Sequence, residues 1–140
     1  MRKGMKHPVV VQDNKPRQDA WASLISLKAE LAMFKRALAN GAVKVSMKFF
    51  FDRPKSHFGT GKNARTTKPG APQWHTSKPD IDKLERCVLD AMTGIVFKDD
   101  SQVWSSAKVK LYTTPKGIVL INTNPQSEGV EVTAEWDEEV

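Results

Sequence analysis

Between residues 79 and 103 the chain sets five aspartates in a pattern that restricts how it can fold. Asp80 and Asp82 flank Ile81 directly after Pro79, Asp90 follows, and Asp99-Asp100 come after Gly94. Ionised carboxylates repel one another, so gathering them is costly unless a cation neutralises them. Ile81, Leu84, Val88, Ala91 and Met92 recur at helical spacing and predict a helix over 81–92. Asp80 is its N-cap candidate and Gly94 its stop. Within one helix, residues two apart point about 200° from each other. Asp80 and Asp82 therefore reach one cation only if Asp80 stays extended or capping while Asp82 lies in the first turn. A proline disfavours helical geometry in the residue before it, so Lys78-Pro79 suits that entry. Arg86 lies four residues after Asp82 on the same face, and Asp90 four beyond Arg86. The Asp99-Asp100 pair begins a turn whose following strand can return it to the helix. Oxygen ligands from Asp80, Asp82 and one of the pair suit Mg²⁺ or Mn²⁺ rather than zinc. The plainer alternative has Asp80 as a cap, Asp82 paired with Arg86, and Asp99-Asp100 as turn residues.

The other elements follow from periodicity. Trp21, Leu24, Ile25, Leu27, Leu31, Met33 and Leu38 predict an amphipathic helix over 17–39, stopped by Asn40-Gly41. Residues 42–51 alternate and then turn apolar, as a strand does, and 102–112, 117–121 and 130–134 read as further strands. Residues 1–15 are polar and Pro-punctuated, with one apolar run at Val9-Val10-Val11. These elements predict a single α+β domain over 1–140, with a mixed β-sheet and two main helices.

Residues 53–78 show no periodicity. They contain Arg53, Lys55, Lys62, Arg65, Lys68 and Lys78 and no acid. Cations on a flexible Gly/Pro-bearing loop suit phosphate contacts that carry no sequence information. Phe58 and Trp74 lie among these cations and could stack on or wedge against bases; the alternative is that they anchor the loop to the core, the reading favoured for Trp74, while Phe58 stays a candidate base wedge or stacking residue. His57 and His75 read as hydrogen-bonding loop residues, and Cys87, in the apolar stripe of its helix, as a core residue. Charge is divided along the chain: residues 1–78 hold 16 Lys/Arg against 4 Asp/Glu, and residues 79–140 hold 6 against 12. A basic half of this size favours a polyanionic partner. The acidic end, 135–140, is expected to fray. No apolar run approaches the roughly 20 residues that span a bilayer, and the start lacks the apolar segment of a signal peptide. One cysteine excludes an internal disulfide and fits a reducing, cytoplasmic setting.

Lys78-Pro79-Asp80-Ile81-Asp82-Lys83-Leu84-Glu85-Arg86-Cys87-Val88-Leu89-Asp90-Ala91-Met92-Thr93-Gly94, followed by Asp99-Asp100-Ser101-Gln102-Val103, resembles the signature of the RusA-like crossover junction endodeoxyribonucleases. These are small homodimeric, Mg²⁺-dependent resolvases common in phages and prophages. The specific likeness covers residues 78–112; Arg53-Pro54-Lys55-Ser56-His57 also looks like members of phage origin, and elsewhere the likeness is one of element order. The resemblance implies that Asp80, Asp82 and Asp100 bind the metal, Mg²⁺ with Mn²⁺ able to substitute, and that Arg86 is the essential basic group. It implies paired hydrolysis of four-way (Holliday) junctions by a symmetric dimer, in recombination and repair, in the cytoplasm of a bacterium or phage-infected cell. Arg53, Lys55, Lys62, Arg65, Lys68 and Lys83 are the candidate DNA contacts. The family usually has Lys where Arg86 stands and Asn where Lys83 stands, and its Gly/Pro-bearing opening strand is not found. Arg keeps the charge of Lys but not its compact, titratable ammonium, which favours electrostatic stabilisation over proton transfer. Two rival readings share the basic loop: a non-catalytic DNA-binding or architectural protein, and a metal-dependent nuclease for flaps or other branched DNA.

Overall fold

In the strand Val43–Phe51 (β3), Val43, Val45, Met47 and Phe49 alternate inward while Lys44 and Lys48 face solvent. Period-two alternation of this kind buries one face of a sheet and leaves the other open. A computed structural model of the chain describes residues 2–3, 9–12, 18–114 and 125–138. Its elements run β1 (Arg2–Lys3), β2 (Val9–Gln12), α1 (Gln18–Ala32), β3, α2 (Ile81–Met92), β4 (Val103–Tyr112) and β5 (Gly129–Glu138). β3 is the central strand, parallel to β4 on one side and antiparallel to β5 on the other. β1 and β2 both add antiparallel to β5, at different points along it. The architecture is a single compact α+β domain with a mixed sheet and two helices.

Both helices cover one face of the sheet. The inward residues of β5, Val130, Val132, Ala134 and Trp136, pair with Phe49, Met47, Val45 and Val43, so the two strands present one continuous apolar surface. Trp21, Ile25 and Ala29 repeat every four residues along one face of α1, Met33 continues the spacing just past its end, and all four are buried. Leu84, Val88, Ala91 and Met92 do the same from α2. The Trp21 ring stacks beside Phe49 at 6.4 Å between centroids. Ser26 Oγ donates to the Ala91 carbonyl at 2.8 Å and ties the helices together.

The structure departs from the sequence expectation in three places. α1 stops at Ala32 rather than near residue 39: the chain turns through Met33–Lys35, where Lys35 takes φ 61°, and leaves Phe34 72% exposed. Beyond it the Ala39 amide donates to the Val96 carbonyl at 2.8 Å, a tertiary bond that the helical pattern could not reveal. Val9–Gln12 is a strand, because β5 offers it an edge. The acidic end is not frayed through Glu138: β5 continues that far, with Trp136 buried and Arg36 5.6 Å above its ring. The strand expected at 117–121 lies outside the described residues.

Candidate active site

The connection β3–α2–β4 between neighbouring parallel strands sets the geometry. A crossover helix runs back against its strands, so the start of α2 lies near the ends of β3 and β4. Lys110 of β4 accordingly reaches the Ser77 carbonyl, 2.5 Å away, and the Lys110 carbonyl accepts from the His75 amide at 3.3 Å. Glu85 on α2 accepts from Ser106 Oγ at 2.5 Å and pairs with Lys108 at 2.7 Å, which clamps the helix to β4. The hydrogen bond from Lys108, then that from Ser106, holds the Glu85 carboxyl below the ordinary glutamate range.

Asp80 stands at the N-cap of α2 with extended backbone, φ −69° and ψ 144°, and its carbonyl accepts from the Leu84 amide. Its side chain makes no capping bond to the helix. The carboxylate instead accepts from Lys78 Nζ at 2.9 and 3.1 Å, with Lys83 Nζ 3.9 Å away. The Lys78 hydrogen bond, reinforced by the charges of Lys78, Lys83 and Lys110, pushes its pKa down. Asp82 follows in the first turn, exposed. Both carboxylates line a groove of about 800 Å³ with Trp74, His75, Lys78 and Lys110.

Asp99 and Asp100 divide their roles. Asp99 caps a 3-10 turn over Asp100–Gln102, its carboxylate accepting from the Ser101 amide at 2.9 Å, and that bond lowers its pKa. Gln102 closes the reciprocal box by accepting from the amides of Lys98 and Asp99. Its Nε2 donates to the carbonyls of Ala39 and Gly41 at 2.8 and 3.0 Å, which pins the turn to the α1–β3 connection. Gln102 was missed on sequence, although the Asp-x-x-Gln spacing is a capping-box signal. Asp100 points instead to α2, where its Oδ2 lies 2.5 Å from Arg86 Nη1. The same nitrogen lies 3.5 Å from Asp90. Asp100 first, and Asp90 after it, raise the Arg86 pKa.

The structure thus brings Arg86, Asp90 and Asp100 together, and Asp80 together with Lys78 and Lys83. Arg86 lies about 9 Å further along the helix axis than Asp80, at 1.5 Å per residue. Among the described residues no group of three His, Cys, Asp or Glu is gathered to hold a metal ion. Asp80 and Asp100 are half-exposed oxygen donors of the kind hard divalent cations take, and each is paired with a positive side chain, Lys78 and Arg86 respectively.

The basic segment folds back on itself. The Lys68 amide donates to the His57 carbonyl and the Gly59 amide to the Thr66 carbonyl, at 2.8 and 3.0 Å. Gly59 is required there, since a Cβ would stand 2.8 Å from that of Asn63. Lys55, Lys62, Arg65 and Lys68 are exposed and make no ion pair among the described residues. Arg53 is half-buried: Nη1 donates to the Pro72 carbonyl at 2.6 Å, and the guanidinium lies 4.2 Å above the Tyr112 ring. Phe58 is half-buried and bridges Thr67 through its backbone.

A sequence model of the family Endodeoxyribonuclease RusA matches residues 3–122, which take in every carboxylate of this site. The chain belongs to the RusA endodeoxyribonuclease family. This RusA-family chain is also similar to the uncharacterized protein YqaN of Bacillus subtilis (strain 168), at 32% identity over 76 residues. That similarity covers 54% of the chain and 53% of YqaN, so about half the length of this relative is spanned.

Two aromatic residues of the RusA-family chain depart from the roles expected of them. Trp74, expected to anchor the loop, is 55% exposed. The anchor is its neighbour His75, which stacks on Phe51 at 4.1 Å and meets Tyr112 edge-on at 5.3 Å. His75 Nδ1 is buried without a hydrogen-bond partner, and burial, aided by the Lys110 charge, pushes the pKa down to about 4. The ring therefore works as a neutral aromatic. The sequence carried no signal for this arrangement, because it depends on which residue meets Phe51 across the fold. Cys87, expected in the core, is half-buried and lines a second groove with Asp82, Arg86 and Asp90.

Proposed function

We propose that this chain is a Mg²⁺-dependent endodeoxyribonuclease that cuts four-way (Holliday) junctions by paired phosphodiester hydrolysis, acting as a homodimer in the cytoplasm. The observation that carries this reading is the family match over residues 3–122. Asp80, Asp82 and Asp100 are the proposed ligands of the divalent cation, Mg²⁺ or Mn²⁺. When bound, such a cation supplies an activated water and neutralises charge at the phosphorus. The chain's own residues do the rest. Arg86 is held in place by Asp90 and Asp100, and it would exchange the Asp100 carboxylate for a phosphate oxygen and stabilise charge developing on it. Lys78 and Lys83 balance Asp80 until the cation does. Lys55, Lys62, Arg65 and Lys68 would hold the backbone of the incoming arms by charge. A four-way junction has two-fold symmetry, and cuts in opposing strands call for two sites related by a dimer axis.

The test is cleavage of a synthetic four-way junction beside flap and linear duplex controls, with Mg²⁺ and with EDTA. The reading requires symmetric nicks in opposing strands of the junction, dependent on the cation. Equal cutting of flaps would assign a broader branched-DNA nuclease. Tight binding without cutting at any Mg²⁺ concentration would assign the non-catalytic DNA-binding reading instead.

A further inference from the structure

Trp74 is a wall shared by two grooves. On one side is the groove of about 800 Å³ that contains Asp80 and Asp82 together with Lys78 and Lys110. On the other is a groove of about 510 Å³ lined by Arg53, Arg65, Gln73, Tyr112 and Thr113, with no carboxylate. The backbone behind the indole is fixed, because His75 is stacked on Phe51 and its amide is bonded to Lys110. The indole itself is 55% exposed. Arg65 is exposed and has no ion-pair partner among the described residues, so its charge is available to a ligand. A large flat ring on a fixed backbone, with an available guanidinium to one side and the Lys78 and Lys110 ammonium groups to the other, matches a nucleotide: phosphate, base face, next phosphate.

We propose that Trp74 is a stacking platform for one unpaired base of a DNA strand, which runs from the Arg65 groove across the indole to Asp80 and Asp82. A base inside a closed duplex has both faces occupied. The site therefore takes a base exposed at a branch point or in a single strand, and it gives the chain a structural preference that phosphate contacts cannot. This inference rests on the DNA-cleaving reading for its meaning but not for its test.

The experiment is binding in EDTA, where no metal-dependent hydrolysis proceeds. A four-way junction with 2-aminopurine at the branch-point nucleotides, an unstructured single strand and a fully paired linear duplex are each titrated with wild type, Trp74→Ala and Trp74→Phe. Circular dichroism and melting confirm that these surface variants fold. Loss of one stacked base weakens binding about 5- to 150-fold, the range for alanine substitution of stacking aromatics. The expected result is that loss with Trp74→Ala on junction and single strand, none on linear duplex, and retention with Trp74→Phe. Wild type and Trp74→Phe, but not Trp74→Ala, should quench the 2-aminopurine. The slope of log affinity against log salt should be unchanged by Trp74→Ala, since stacking releases no counterions, whereas Arg65→Gln should lower it by about 0.7–0.9. Equal affinities of all three proteins, an equal loss for Ala and Phe, or an equal loss on closed duplex would each overturn the proposal. None of these outcomes depends on cutting. A Trp74→Ala protein that binds and cleaves like wild type removes the platform and leaves the nuclease reading intact. Stacking without any cleavage does the reverse.

Discussion

Arg86 approaches Asp100 and Asp90 through the same nitrogen, Nη1, so its guanidinium is not engaged there as a two-pronged fork. If it acts on DNA as a fixed positive charge, Arg86→Lys keeps most of the cleavage rate. Arg86→Ala then lowers the single-turnover rate by about 10²–10³, the range for loss of one preorganised charge stabiliser. A comparable fall in the Lys variant would show that the fork is needed on the phosphate, and wild-type turnover by the Ala variant would reduce Arg86 to an ion-pair partner. His75 gives a pH signature of its own. Its folded pKa, about 4, lies below the 6.5 of an unperturbed histidine. As pH falls from about 7, the unfolded chain takes up this proton first, so stability drops between roughly pH 6.5 and 4 and levels off below. His75→Phe keeps the aromatic contact and lacks the proton site. Melting curves at pH 7 and pH 5 should therefore show wild type losing more stability than the variant; parallel losses would mean that His75 titrates normally. The spacing of Asp80, Asp82 and Arg86 was legible in the sequence because it is local. The exposure of Trp74 and the burial of His75 were not, because a residue's place in an aperiodic loop is decided by contacts some 24 positions away in β3, at Phe51.

At the scale of elements, period and punctuation predicted β3 and α2 closely, since each is strongly patterned and bounded by a proline or glycine. Gly94, which ends α2, takes φ 84°, the left-handed geometry that glycine adopts without strain. α1 was overextended because Leu38 continues the helical spacing while it belongs to the loop that crosses toward Val96. That loop depends on Gln102. Replacing it with Ala removes four hydrogen bonds and should cost roughly 1–3 kcal/mol in urea unfolding; an unchanged midpoint would show that water replaces the side chain. The basic segment makes a different prediction. Neutralising Lys55, Lys62, Arg65 and Lys68 together should weaken junction and linear DNA binding alike, and flatten the salt dependence by up to about 0.9 in log–log slope per lost phosphate contact. An unchanged slope would take this loop off the DNA surface. Amide exchange with and without DNA tests the expected mobility of the same segment.

At the scale of the molecule, charge follows the chain. Acidic residues concentrate beyond residue 79 and cations before it, yet the crossover β3–α2–β4 brings the two halves side by side at the start of α2. A symmetric dimer is expected to sediment at twice the 15.7 kDa of one chain and to place one nick in each opposing strand; a monomer in sedimentation that still makes paired cuts would refute the dimer requirement. The backbone bonds that join His57 to Lys68 and Gly59 to Thr66 divide the molecule into a frame and an appendage. Everything between that pair of pinches, Lys62 and Arg65 included, hangs from a neck two hydrogen bonds wide and contributes no buried residue to the core. Such a segment is an exchangeable cassette. Its length and charge can change without disturbing the frame that carries the carboxylates, since nothing it holds is packed in the core.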